Sequence, residues 1–233
     1  TRQEAPGVYS GAILAGLDYL LMEMGKRKML AVLYLNNSWE WSGGYGYYLE
    51  QAGFGKAPLP SIDGYSAFRN FVAKYASCEK AHQLFYDYVK FILTRTNRYT
   101  KKKYKDDPAI MSWQIGNEPR AFSKEQLPAF EKWLGEASKL IRSLDKNHLI
   151  SIGSEGKWGC EGELNCWERI CADKNVDYCN IHLWPYNWSW ARKDHLQEDL
   201  GISCQNTKEY IDEHLEVCGR IRKPLVMEEF GYP

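Results

Sequence analysis

Five short apolar runs recur along the chain, separated by longer segments of helical period, and this alternation limits the possible folds more than any other feature. The runs are KMLAVLYLNN (28–37), AIMSWQIGN (109–117), LISIGS (149–154), VDYCNIHLW (176–184) and PLVMEEFG (224–231). Each is apolar nearly throughout instead of alternating, the pattern of parallel strands covered on both faces. Between them Ile13, Leu14, Leu17, Leu20, Leu21 and Met24 repeat at helical spacing. So do Phe85, Val89 and Ile92, and then Phe130, Trp133, Leu134, Ala137, Leu140, Ile141 and Leu144. Ser123 with Gln126 three positions on reads as a capping box opening that third helix. A further helix fits 208–222, and no internal repeat or low-complexity segment interrupts the pattern.

Strand–helix alternation means a parallel α/β sheet, either open or closed into a barrel. GGYGYY (43–48) lacks the spacing and the following helix of a dinucleotide fingerprint, and no phosphate loop is present. The ends of the runs favour the barrel. Asn36 and Asn37, Asn117 and Glu118, Ser154 and Glu155, His182 and Trp184, and Glu228 and Glu229 all sit where (β/α)8 enzymes build their sites. An open sheet would concentrate such residues at one switch point. The expectation is therefore an α/β chain forming a single catalytic TIM-barrel domain over 1–233, truncated at both ends, with strands 3–7 of the eight present. The chain opens with a helix and stops two residues after EEFG, whereas a complete barrel takes about 250 residues. The stretch after Asn37 is expected to be an enlarged loop on the active face.

Composition removes several function classes. The 30 basic and 30 acidic residues cancel, so no global field draws the chain to nucleic acid or an anionic membrane. RYTKKKYKDD (98–107) reads as a solvated loop, and no apolar stretch is long enough to span a bilayer. The first residues lack a cationic start followed by an apolar signal core, which says little under the expected truncation. None of the seven cysteines forms a C-x-x-C pair and the five histidines are scattered, so a structural zinc site is not expected. Cys160, Cys166 and Cys171 crowd one region, where a disulfide and buried free thiols are both open readings. Among nine Trp and sixteen Tyr, the cluster Trp39, Trp41, Tyr45, Tyr47 and Tyr48 suits either a core or flat platforms for ligands.

Glu118 and Glu229 each close a run, so in a parallel barrel both would rim one pocket. Two facing carboxyls can cleave a glycosidic bond: one protonates the leaving oxygen while the other attacks the anomeric carbon, with retention at about 5–5.5 Å separation. Mutual repulsion keeps one of them protonated. Two unrelated surface glutamates remain the plain alternative from spacing alone.

WQIGNEPR and KPLVMEEFGYP resemble glycoside hydrolase family 5, and the wider set LNNSWEWSGG, GNEPR, NHLISIGSEG, HLWPYNW and KPLVMEEFG is similar to that family's endo-β-1,4-mannanases. The motifs cover every strand candidate in order. The resemblance implies a retaining endo-β-1,4-mannanase acting on mannan, glucomannan or galactomannan by a two-glutamate double displacement, with no metal and no cofactor. It assigns Glu118 as general acid/base and Glu229 as nucleophile. Spacing cannot choose between Glu228 and Glu229, whose side chains should face opposite sides of a strand; the family pattern chooses Glu229 and turns Glu228 away.

The resemblance also implies substrate-binding roles. Asn117 would bond the sugar 2-hydroxyl, His182 would hold the nucleophile or a hydroxyl, Arg120 would bind sugar on the leaving-group side, and Glu155 would accept from hydroxyls. Asn36 joins this set, and Trp39, Trp188 and Trp190 would be stacking platforms. Trp184 departs from the family's His-x-Tyr, and an indole donates but does not accept. The plain readings are a capping amide, a satisfied buried histidine, a salt-bridged arginine, a loop carboxylate and loop-core tryptophans. The family's arginine after the second strand and tryptophan ending the eighth have no counterpart, in keeping with truncation. A cellulase or transglycosylase of the same family stays open, as does a non-catalytic glycan-binding protein on the same scaffold. The expected partners are β-mannan and manno-oligosaccharides, engaged by a monomer with no nucleic acid and no membrane span. Polymers of that size do not cross membranes, so a secreted, periplasmic or cell-surface location is expected.

Overall fold

The computed structural model describes residues 3–41 and 44–232, and it begins with a hairpin where a helix was expected. Strands β1 (Gln3–Ala5) and β2 (Val8–Tyr9) pair antiparallel across Pro6 and Gly7 before α1 (Gly11–Lys26) starts. Strands this short show no periodicity, and Pro-Gly is their single local cue. The chain continues through β3 (Ala31–Tyr34), α2 (Gly44–Ala52), α3 (Pro60–Asp63), α4 (Tyr65–Val72) and α5 (Glu79–Thr94). Then come β4 (Ile110–Gln114), α6 (Leu127–Leu144), β5 (Leu149–Ser151), α7 (Leu164–Cys171), β6 (Cys179–Leu183), α8 (Leu196–Ile221) and β7 (Leu225–Phe230).

All five apolar runs are strands, shorter than the runs themselves, and they pair in parallel. One ladder has the order β3-β4-β5 and a second joins β6 to β7. Between the ladders the Asp177 amide donates to the Ile150 carbonyl at 2.8 Å, and the Gly153 amide to Asn180 Oδ1 at 2.9 Å. Among the described residues the outer edges of β3 and β7 take no strand partner, so the sheet is open and no barrel is closed.

Alternation across β4 separates core from site. Trp113, 0% exposed, packs toward the helices and donates Nε1–H to Asp145 at 2.7 Å. Ser112 and Gln114 point to the other face, where they meet the Tyr178 hydroxyl and the Glu228 carboxyl. Trp133, Leu134 and Ile141 of α6 and Phe85 of α5 fill the helical side. Removing one of those rings would cost about 3–5 kcal/mol.

The stretch after Asn37 is not one loop but carries α2, α3 and α4. Its aromatic richness belongs largely to the core. Tyr45 stacks on Tyr75 with centroids 3.9 Å apart and planes 6° apart, and both are buried, as is Tyr48. Ser123 does not form the expected box: its hydroxyl goes to Glu125 Oε2 at 2.5 Å, across a 3-10 turn at Lys124–Gln126. Helix α6 starts only at Leu127, with Pro128 in its first turn, where a missing amide costs nothing. Helix α8 begins well before 208 because its buried face includes Asp199, Ser203, Tyr210 and His214, and polar residues there hide the helical period.

Gly153 ties the fold to the site. Its φ is +76°, and a Cβ there would lie 2.0 Å from the Gly116 carbonyl oxygen. The Gly153 carbonyl in turn accepts the Glu118 amide at 2.9 Å. Gly153→Ala therefore wedges β4 from β5 beneath Glu118, and a loss of about 1–3 kcal/mol is expected in a urea melt. A melt matching the parent protein would show that the close approach is not required.

Candidate active site

The turn after β4 is pinned from both sides. The Asn117 amide donates to Asn36 O at 2.9 Å, the Ser38 hydroxyl donates to the Glu118 carbonyl, and Gly153 holds the Glu118 amide. Glu118 itself has φ +47°, a left-handed conformation that a non-glycine residue adopts only when its surroundings impose it. The result aims its carboxyl into a cleft of about 960 Å³ at the C-terminal ends of the strands.

Glu229 arrives from β7, and one carboxylate oxygen of each glutamate lies within 4.8 Å of the other. His182 on β6 sits between them, fully buried, with Nδ1 2.8 Å from Glu118 Oε1 and 3.3 Å from Glu229 Oε2. Trp39 Nε1–H donates to Glu118 Oε2 at 2.5 Å. Trp184 Nε1–H donates to Glu229 Oε2 at 3.3 Å, so the Trp at this position still supplies a donor to that carboxylate.

Strict alternation fails at β7, and Glu228 does not turn away as expected. Ile181 pairs with Met227 but His182 pairs with Glu229, so Glu228 is the extra residue of a bulge. Both its oxygens accept from Gln114 Nε2, at 2.6 and 2.7 Å, and it stands 4.0 Å from His182 Nε2. Two consecutive carboxyls thus share the side of the sheet that carries the cleft.

Arg120 and Glu155 line the cleft as a pair. Arg120 donates from Nε at 2.8 Å and Nη2 at 2.5 Å to Glu155 Oε1, and its guanidinium lies 5.5 Å from the Trp39 ring centre. Asn117 and Trp188 also line the cleft. Two expected binding residues lie elsewhere. Asn36 is buried, giving Nδ2–H to the Tyr75 hydroxyl at 3.1 Å and accepting the Asn37 amide at 2.8 Å. Trp190 packs edge-on against Trp188, 5.0 Å between centres, and lines a separate pocket with Lys157 and Tyr210. The sequence reading missed Tyr65 and Arg69 on α4, and Tyr186 and Arg192 in the loop after β6, all of which line the cleft. No local motif marks them; position on that face is their one signal.

Protonation follows from these contacts. Burial would raise the Glu118 carboxyl, but the His182 and Trp39 bonds and the Arg120 charge hold it below its usual value. Burial drives Glu155 up to about 7 despite the Arg120 guanidinium. His182 is pulled down by burial but ends raised, because Glu118, Glu229 and Glu155 surround it. Glu228 is lifted by burial and by Glu229, against Gln114 and His182. Trp39→Phe removes a donor that favours the ionised Glu118, so the carboxyl keeps its proton to higher pH. The Glu118 carboxyl, followed by carbon NMR, is expected to titrate higher by about one unit or less in that variant, and a shift downward would contradict this.

Among the described residues, Glu118, His182 and Glu229 are the one grouping of three metal-capable side chains, and they already bond one another, Trp39 and Trp184. All seven cysteines are free, and every one but Cys78 and Cys204 is buried.

Against known proteins, the model of the GH family 5 beta-mannosidase-like family matches residues 1–233. A tomato (Solanum lycopersicum) protein, mannan endo-1,4-beta-mannosidase 4, is 32% identical over 238 residues, which cover 98% of this chain and 56% of that protein. A Rhizomucor miehei family 5 mannosidase in complex with mannosyl-fructose superposes with a TM-score of 0.86 at 32% identity, over 99% of this chain and 54% of that one. A Thermotoga petrophila endo-1,4-beta-D-mannanase gives 0.77 at 25% identity, over 98% and 64%. The chain spans about half the length of the curated relatives it matches.

Proposed function

The chain belongs to the glycoside hydrolase family 5 beta-mannosidase-like family, and from that premise we propose that it cleaves internal β-1,4-mannosidic bonds with retention of configuration. The observation that carries this reading is the convergence of Glu118 and Glu229, oxygens within 4.8 Å, on one cleft. Inverting enzymes need about 6.5–9.5 Å to admit a water between their carboxyls.

Glu229 attacks the anomeric carbon while Glu118 passes a proton to the leaving oxygen, and a mannosyl ester of Glu229 forms. Water then attacks that ester as Glu118 takes its proton, restoring both side chains. Trp184 steadies the Glu229 carboxylate by its N–H. Asn117 reads the 2-hydroxyl, where a bond strengthens as positive charge develops on the ring. Arg120, held by Glu155, offers its guanidinium to the sugar beyond the cleaved bond, and Trp39 and Trp188 offer apolar faces to pyranose rings. A polymeric substrate is too large to cross a membrane, which supports a location outside the cell or in a periplasm, and the reading is of a protein acting as a monomer.

A second reading is exo-cleavage, favoured by the mannosidase description of the family and of the Rhizomucor miehei structure. Early products from mannohexaose decide between them. Mannobiose and mannotriose support internal cleavage, and mannose alone supports the exo reading. Equal turnover of cellohexaose would point to a broader β-glycanase, and binding without cleavage to a glycan-binding scaffold.

A further inference from the structure

Trp190 is a platform that the cleft does not use, and the proposed reaction leaves the pocket it lines without a task. Ser189, at φ +60°, turns the chain so that Trp188 lines the cleft and Trp190 a separate pocket. Trp188 stands between the two sites, its ring 5.0 Å from Trp190 and 6.0 Å from Trp158, which also lines the pocket. Trp190 is held firmly. Its amide donates to Pro185 O at 2.8 Å, and its carbonyl accepts the Ser203 hydroxyl at 2.8 Å. Its ring meets Tyr210 of α8 edge-on at 6.0 Å, and the Tyr210 hydroxyl is tied to Glu155 O at 2.7 Å. Trp158 and Trp190 are both half-buried, so each keeps ring surface to offer.

The chemistry beside those rings selects a ligand. The pocket holds about 270 Å³, just below the range for drug-sized molecules and on the scale of one sugar ring. Lys157 is met by Glu213 at 2.5 Å, and Glu209 adds a negative charge, so a phosphate or carboxylate finds no free cation. The carboxylate left over, Glu209, is exposed and accepts from Gln205 at 2.6 Å, too little to hold a metal ion. A purely apolar ligand would strip water from the polar rim and replace none of its hydrogen bonds. The Asn206 amide, which makes no hydrogen bond among the described residues, can both donate and accept. Ring faces beside such groups suit a neutral polyhydroxyl ring, whose C–H face stacks while its hydroxyls pair at the rim.

We propose that this pocket is a second carbohydrate site, outside the cleft, that binds one pyranose of a β-mannan chain by stacking on Trp190 and bonding to Asn206 and Glu209. It shares the Trp188 wall with the cleft, so glycan is held beside the place of cleavage without entering it. No bond is made or broken there. The inference rests on the reading of the cleft as a mannan site and adds a second place for the same ligand.

The test is nitrogen NMR of the tryptophan indoles in the full chain carrying Glu118→Gln, which silences cleavage, titrated with mannotetraose. Signals are assigned by their loss in Trp39→Phe, Trp158→Phe and Trp190→Phe. The Trp158 and Trp190 signals are expected to shift along a saturation curve with its own midpoint, apart from the curve that Trp39 follows in the cleft. Trp190→Ala should weaken the binding seen at Trp158 about tenfold and leave the Trp39 curve in place. Should that variant disturb Trp188, Asn206→Ala, which removes no packed ring, should weaken the same binding severalfold. Trp158 and Trp190 unmoved while Trp39 responds, or moving on the Trp39 curve and indifferent to Asn206→Ala, overturns the proposal. Silence at Trp39 as well would sink the mannan reading together with it, so the two failures are told apart.

Discussion

Glu118→Ala is expected to lower mannan hydrolysis by about 10²–10⁴-fold, the usual contribution of a general acid–base. The loss should nearly vanish in the first step for mannosides with very good leaving groups, which depart without a proton. Those substrates still form the ester on Glu229, and its breakdown then lacks a base. Added azide, a nucleophile that needs no deprotonation, should restore turnover and yield a mannosyl azide. The structural ground is that Glu118 faces Glu229 across the cleft and bonds His182 and Trp39 by its own two oxygens. Equal loss on poor and good leaving groups, with no response to azide, would mean that Glu118 does not handle the proton.

Asp18→Ala should destabilise the fold as much as losing a core ring, by about 3–5 kcal/mol, the range for stripping one partner from a buried ion pair. Asp18 on α1 is 0% exposed and accepts from Arg95 Nε at 3.2 Å, Arg95 Nη2 at 2.6 Å and the Tyr104 hydroxyl at 2.7 Å. The Asn97 side chain adds a 2.9 Å bond to its carbonyl. These contacts fasten α1 to the segment between α5 and β4, and truncation leaves a half-buried guanidinium without its carboxylate. Burial raises the Asp18 pKa, but the Arg95 and Tyr104 bonds outweigh it and leave it lowered. A lowered carboxyl contributes fully above its unfolded value, and the contribution is lost as pH falls through the folded one. Urea melts should therefore separate parent and variant widely at neutral pH and much less in strong acid. Equal separation at both would show that packing, not charge, is what Asp18 supplies.

Much of this architecture was legible because its signals are local. All five parallel strands were visible as apolar runs, including β7, whose Val226, Met227 and Phe230 are exposed at the open edge of the sheet. Their polar ends single out Asn117, Glu118, Glu155, Trp184 and Glu229, which line one cleft, and His182, which bonds Glu118 behind it. What stayed hidden has no local signature. Nothing in PLVMEEFG distinguishes a regular strand from one bulged at Glu228, because the bulge depends on how β7 registers against β6. Trp188 and Trp190 look alike in sequence, yet a T-shaped contact leaves just one of them on the cleft. Asn36 and Asn117 both end strands as amides. One is consumed by Tyr75, and the other remains at the cleft wall. Tyr45 and Tyr48 could not be told from surface platforms until α2 was seen to bury them.

The central claim is that Glu229 forms a covalent bond to the sugar with Glu118 opposite it. The most direct measurement is to incubate the protein with a mannosyl fluoride carrying fluorine at C2, which forms the ester readily and hydrolyses it slowly, and then map the modified peptide by mass spectrometry. The account predicts one fluoromannosyl group, attached to Glu229. Label on Glu228 or elsewhere, or cleavage of mannan by a protein that takes no label, would contradict it.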